Sequence, residues 1–157
     1  MLKFLRGCKF SLERTKEKLD FYYACRSSLS SWFTDWDVDS PLFQRMLKTG
    51  FFLPLGYDRH GRQVILLRSG VLDPSTVDME DIIKTNITFI EFISENNDQA
   101  QIQGMVLIND LSGTTARHAL LFSPVVMKKA LTLFQEAFPS RPKVSKSSLQ
   151  FQTLNFQ

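Results

Sequence analysis

Apolar residues along this chain switch between helical and strand-like spacing, and the switches outline its elements. Residues 1–7 read as the tail of a helix closed by Gly7, a residue suited to the position just past a helix end. Leu12, Thr15, Leu19, Tyr22 and Tyr23 recur at helical spacing, with Lys16, Glu17, Lys18 and Asp20 turned outward. Ser11 is a good N-cap for this second helix, which runs to about Ser27. Residues 28–40 read as a loop with a short turn at Trp32-Phe33. Ser40-Pro41 then opens a short helix to Thr49, which Gly50 stops.

Phe51 to Leu55 and Gln63 to Arg68 are strand candidates. The turn-rich stretch Gly56 to Arg62 between them makes an antiparallel hairpin. After a loop at Asp73-Pro74-Ser75, Asp78 caps a helix from about Met79 to Asn96. Ile82, Ile83, Asn86, Ile87, Phe89, Ile90, Phe92 and Ile93 cover more than one face of it. A helix apolar on most sides belongs between two layers, or between a sheet and a cavity. Gly104 to Asp110 is a nearly continuous apolar run, the pattern of a central strand covered on both faces. A short helix over Thr115–Leu121 follows, and Ser123-Pro124 opens a last helix that reaches Ala137 before Pro139. Strands alternating with helices predict an α/β domain behind a helical N-terminal part. Val144 to Gln157 is rich in Ser and Gln, with neither a helical period nor a strand pattern.

Composition narrows the picture. The 157 residues suit one domain, and 43% hydrophobic with 22% charged is a globular balance. Fourteen Phe against 2 Trp and 3 Tyr supply large apolar area without polar atoms, as core or as the lining of an apolar site. The net charge is +3, unevenly placed. Residues 1–26 carry seven Lys/Arg and three Asp/Glu, and residues 139–157 carry three and none. Basic ends around an acidic middle can orient a protein on an anionic surface. Cys8 and Cys25 have neither CxxC spacing nor clustered His, so a metal or other cofactor is not expected, and free thiols fit a reducing cytoplasm. No secretory signal and no run of ~18 apolar residues is visible. Any membrane contact is expected to be peripheral.

Candidate chemistry is sparse. Gly56-x-x-x-x-Gly61-Arg62-Gln63 misses the Lys and Ser/Thr a phosphate loop requires, and it joins two strands. His60 and His118 sit in no nucleophile motif. Asp110, ending the central strand, suits a turn-anchoring role. Basic residues are not interleaved with aromatics as in nucleic-acid modules, so nucleic acid is not an expected partner. The expectation is a binder and not an enzyme.

Four segments resemble one family in order and at family spacing. Phe4 to Arg14, "FLRGCKFSLER", resembles the "FLRA-x-K/D-F" signature of the CRAL-TRIO N-terminal helices. Tyr57 to Val64 is similar to that family's "D-x-x-G-R-P-V" hairpin, and "GMVLINDLSG" from Gly104 to its central strand. Ser123 to Lys129, with Gln135 to Pro139, is similar to the "TPS-x-x-KK … Q-(D/E)-x-(F/Y)-P" helix. The likeness leans to the tocopherol-transfer-like and retinaldehyde-binding-like branches. It covers residues 1–143.

The resemblance implies a CRAL-TRIO-like α/β sheet with flanking helices. Residues 1–30 would be part of the helical N-terminal subdomain, 41–143 a partial lipid-binding domain, and 144–157 a divergent, disordered tail. The family's last strand and gate helix would be missing, as in a truncated product. It also implies intracellular binding and transfer of a tocopherol-, retinoid- or phospholipid-like molecule. By position it puts Ile83, Asn86, Ile90, Met105, Asn109, Ala116, Ala130, Leu133 and Phe134 on the ligand cavity. Arg141 and Lys143 fall where the family's basic residues contact a phosphatidylinositol bisphosphate headgroup at membranes. The alternative is a remnant without a ligand, acting if at all as an interaction protein.

Overall fold

The computed structural model describes residues 1–34, 37–121, 123–139 and, for the backbone, 142–148. A short helix and a long one open the chain. Helix α1 (Leu2–Gly7) turns into α2 (Leu12–Ser28), whose N-cap Ser11 accepts from the Arg14 amide. A 3₁₀ turn at Ser30–Phe33 buries Trp32 and Phe33. Helix α3 (Pro41–Lys48) starts on Ser40, whose hydroxyl accepts from the Phe43 amide at 3.2 Å.

The sheet has four strands in the order β1-β2-β3-β4. Strands β1 (Phe52–Tyr57) and β2 (Gln63–Arg68) form the antiparallel hairpin, with an irregularity between Pro54 and Gly56. Strand β3 (Met105–Asp110) runs parallel to β2, with Gln63 opposite Met105 and Arg68 opposite Asp110. Helices α4 (Met79–Asn96) and α5 (Asp98–Gln103) make that crossover. Helices α6 (Ala116–Leu121) and α7 (Pro124–Thr132) connect β3 to β4, and a π-helical turn over Leu133–Ala137 continues α7.

Strand β4 (Pro142–Ser148) lies parallel to β3. Where the resemblance has the family's last strand missing and a disordered tail from residue 144, the segment Pro142–Ser148 pairs with β3 as a strand. A free sheet edge presents a row of backbone donors and acceptors, and pairing with it asks for backbone, not for a side-chain pattern. The Ser/Lys-rich stretch has no strand signature of its own, which is why periodicity does not find it. Residues 149–157, the rest of the expected tail, lie outside the described residues.

Helix α4 belongs to two cores, as its several apolar faces require. Asp78 and Asp81 form a reciprocal capping box at its start. Ile82, Phe89 and Ile93 pack with Phe43, Met46, Phe52, Ile65 and Met105 over the sheet. Phe52 stacks on Phe89 with ring centroids 4.7 Å apart. Ile83 and Ile87 pack instead with Phe4, Tyr22, Trp32, Phe33, Ala130, Leu133 and Phe138. This second core joins the N-terminal helices to α4 and α7.

Polar clamps reinforce that join. Arg6 pairs with Asp98 of α5, and Lys18 donates to the carbonyls of Gln135 (3.3 Å), Glu136 (2.8 Å) and Phe138 (3.1 Å). A cation on the last carbonyls of a helical segment satisfies orphan acceptors and complements the helix dipole. Burial pulls the Lys18 amine below the ordinary lysine value.

Candidate functional site

An apolar hollow of about 330 Å³ opens where the C-terminal ends of β2 and β3 meet α4 and α7. Met79, Ile82, Ile83 and Asn86 line it from the first turns of α4, and Met127, Ala130, Leu131 and Phe134 from α7 and its π turn. Phe51, Leu67, Ser69, Asn109 and Leu111 close it from the sheet side. The walls are apolar except for Ser69, Asn86 and Asn109. The Asn86 amide is steadied by its own helix, donating to the Ile82 carbonyl at 3.0 Å. Few polar groups in an apolar concavity fix a ligand's orientation without charge. Three larger depressions carry charged side chains: one Asp37, Glu91 and Glu95, a second Arg14, Glu17, Lys18 and Glu136, and a third Lys3, Arg26, Glu91 and Glu95.

Of the residues that the resemblance puts on a cavity, five line this hollow: Ile83, Asn86, Asn109, Ala130 and Phe134. Four other expected residues are placed elsewhere, each for a physical reason. Ile90 extends the stripe of Ile83 and Asn86 along α4, but the hollow is only about two helical turns long, and Ile90 packs against the Tyr22–Phe138 core. Met105 lies at the opposite end of β3 from Asn109, roughly 13 Å away at strand rise, inside the sheet core. Leu133 is fully buried and belongs to the core shared with α2. Ala116 is exposed on α6.

Sequence reasoning misses several lining residues: Phe51, Leu67, Ser69, Met79, Ile82, Leu111, Met127 and Leu131. Met127, Leu131 and Phe134 sit at i, i+4 and i+7, so one helical stripe could have found them. Ser69 and Leu111 carry no such signal, because two loops bring them in. Those loops touch backbone to backbone at Gly70. A Cβ there would stand 2.0 Å from the Ser112 carbonyl oxygen.

The residues that resemble catalysts serve the fold. Asp110 accepts from the Ser112 amide at 2.9 Å, and hydrogen bonds from Ser112 hold its carboxyl below the usual carboxylate range. His118 is buried, its Nδ1 accepts from the Thr115 amide at 3.0 Å, and its Nε2 lies 2.9 Å from the Leu72 carbonyl oxygen. The second bond requires the proton on Nε2, so the ring ties α6 to the loop after β2. Asp58 anchors the hairpin turn through the amides of His60 and Arg62. Cys8 and Cys25 are free thiols, and no metal-holding cluster of His, Cys, Asp or Glu occurs among the described residues. No helix among the described residues is long and apolar enough to cross a membrane. Of the two expected headgroup residues, Arg141 lies outside the described residues, and Lys143 is described only as backbone of β4.

Comparisons with known proteins agree with this architecture. The chain is 28% identical over 144 residues to human "Alpha-tocopherol transfer protein-like", covering 91% of this chain and 41% of the relative. It is 30% identical over 142 residues to Clavesin-1 of Xenopus laevis, covering 90% and 42%. Rat Clavesin-2 matches at 29% over 144 residues, covering 90% and 43%. The chain thus spans about two fifths of the length of these relatives. Residues 1–43 match a family model described as "Pinta-like, UBA domain". Residues 47–144, well over half the chain, match the model of the CRAL/TRIO domain, and the chain belongs to that family.

Proposed function

We propose that this chain binds a hydrophobic small molecule in the hollow between α4, α7 and the ends of β2 and β3, and carries it without transforming it. The observation that carries this reading is the apolar lining itself, with three neutral polar side chains set into it. Each methylene withdrawn from water there contributes ~0.8 kcal/mol. A guest filling the hollow with a tocopherol-, retinoid- or acyl-like moiety is therefore held by burial and oriented by Asn86, Asn109 or Ser69. The name of one relative, "Alpha-tocopherol transfer protein-like", points to the same class of ligand. A carrier and not a catalyst is favoured because Asp110 and both ring nitrogens of His118 are engaged in holding turns. The test is purification of the full chain after incubation with a lipid extract, followed by mass spectrometry of what co-purifies. A stoichiometric apolar ligand, reduced by Ala130→Phe in the hollow, is expected. Protein that emerges empty at every lipid load overturns the reading.

We further propose that Arg141 and Lys143 meet the phosphates of a phosphoinositide-bearing membrane when the carrier works at its surface. The support is positional and electrostatic: residues 139–157 carry three basic residues and no acid, and such a segment is drawn to anionic lipid. Arg141→Ala with Lys143→Ala is expected to weaken sedimentation with vesicles containing phosphatidylinositol bisphosphate and to flatten its salt dependence. Unchanged sedimentation removes both residues from this role.

A specific observation favours the interaction-protein alternative as well. Leu120, Val125 and Leu131 are 85%, 65% and 50% exposed around α6 and α7. An empty protein that self-associates through this face would support that reading.

A further inference from the structure

The N-terminal helices do more than precede the hollow. Ile83 and Ala130 line it, and the same two residues pack in the core with Phe4, Tyr22 and Phe138. One continuous core therefore runs from the wall of the hollow to α1–α2. Joined to that core through Tyr22 is a buried acid that does not line the hollow. Glu91 of α4 is 4% exposed. Its Oε1 accepts from the Tyr22 hydroxyl of α2 at 2.9 Å, and its Oε2 pairs with the Lys3 ammonium of α1. Lys3 also reaches Glu95, one turn further along α4, at 3.2 Å. Both carboxylate oxygens thus belong to the N-terminal helices. At ~100° per residue, Glu91 lies about 130° round α4 from the middle of the hollow-lining stripe.

We propose that Glu91 is a positioning residue for the ligand site: gripped by Lys3 and Tyr22, it sets the rotation of α4 and so the shape of the hollow on the helix's other side. A greasy interface alone leaves a helix free to roll by a fraction of a residue among near-equal packings. A buried carboxylate held at both oxygens does not, because any roll would strand a charge away from water and partner. Ligand occupancy and the docking of α1–α2 are then one coupled equilibrium. Coupling of this kind is reciprocal: whatever docking adds to ligand affinity, ligand adds to docking. This inference rests on the carrier reading above, and the test separates the two.

The probe is N-phenyl-1-naphthylamine, a neutral apolar fluorophore, titrated into the full chain. Hydrogen exchange is followed in parallel by mass spectrometry. The probe is expected to slow exchange in residues 1–28 of the unmodified chain, although none of them lines the hollow. Glu91→Gln is expected to weaken probe binding by roughly fivefold or more and to abolish the slowing in residues 1–28. Tyr22→Phe, which keeps the ring and the ion pair, should show a smaller loss in the same direction and covers the case in which Glu91→Gln fails to fold. Glu80→Gln, at the Glu80–Lys84 pair on the same helix, should leave both readouts unchanged. If the variants melt earlier yet bind the probe as tightly as the parent, and the probe leaves residues 1–28 unaffected, Glu91 is a structural anchor only and the inference falls. A parent chain that binds no probe and no extracted lipid overturns the carrier reading, and this inference with it.

Discussion

Gly70→Ala is expected to destabilise the protein although it adds a single methyl group. Gly70 lies in the 3₁₀ turn after β2 (Ser69–Val71), outside the left-handed region where glycine is needed for its backbone freedom. The effect must therefore be steric. The added Cβ would stand 2.0 Å from the Ser112 oxygen, 2.8 Å from the Gly113 carbonyl carbon and 3.0 Å from its Cα. All three are backbone atoms, so no side chain can swing away, and the turn after β3 must move by about 1.5 Å to restore ordinary contact near 3.5 Å. That turn is pinned by the Ser112 amide on Asp110 at 2.9 Å and the Thr114 amide on the Leu111 carbonyl at 3.1 Å. Overpacking of this kind costs about 1–3 kcal/mol, and backbone on the receiving side puts it in the upper half. For a chain of this size the melting temperature should fall by roughly 4–12 °C. Ser69 and Leu111 line the hollow, so probe binding should weaken together with stability. Circular dichroism melts with and without probe measure both. Gly56→Ala is the control: its φ is +93° with nothing within 4 Å of the added carbon, so it meets dihedral strain without a clash. A Gly70→Ala melt indistinguishable from the parent's would refute the steric reasoning.

Ile87 is fully buried in the core that joins α4 to the N-terminal helices, and Ile87→Ala should cost about 2–5 kcal/mol in guanidinium unfolding; a loss under about 1 kcal/mol would mean that this core is not close-packed. Asp58 predicts a pH effect. Its hydrogen bond from the Arg62 side chain comes first among the causes that lower its pKa from 3.8 to about 2. A depressed carboxyl contributes stability above its unfolded value and loses it as pH falls through the folded one, so the contribution disappears between 3.8 and about 2. Asp58→Asn should flatten that part of the acid limb in urea melts, and an Asp58 midpoint near 3.8 by NMR would contradict it.

Local chemistry makes most elements legible in the chain alone. Ser11, Ser40 and Asp78 announce their helices because a side-chain oxygen at that position satisfies amides the helix itself cannot. The run Met105–Asp110 reads as a central strand because a strand covered on both faces has no polar side to show. Spacing alone does not show the six-residue helix α5, although Asn97 at its start, whose side chain accepts from the Ala100 amide, and Gly104 at its end are the marks of a capped helix. The last turn of the final helix reads as α and is π, where Phe138 ends the segment with its amide on the Leu133 carbonyl at 3.3 Å.

The sequence by itself determined the caps, the hairpin, the covered central strand and a helix apolar on several sides. These follow from neighbours within a few residues, where spacing alone decides which groups meet. Only the tertiary structure decided that the segment Pro142–Ser148 pairs with β3, that Ser69 and Leu111 face the same space, and that Glu91 belongs to Lys3 and Tyr22. Those pairings join residues far apart in the chain. What selects them is the available edge, the closest backbone approach and the need to partner a buried charge, none of which leaves a periodic trace.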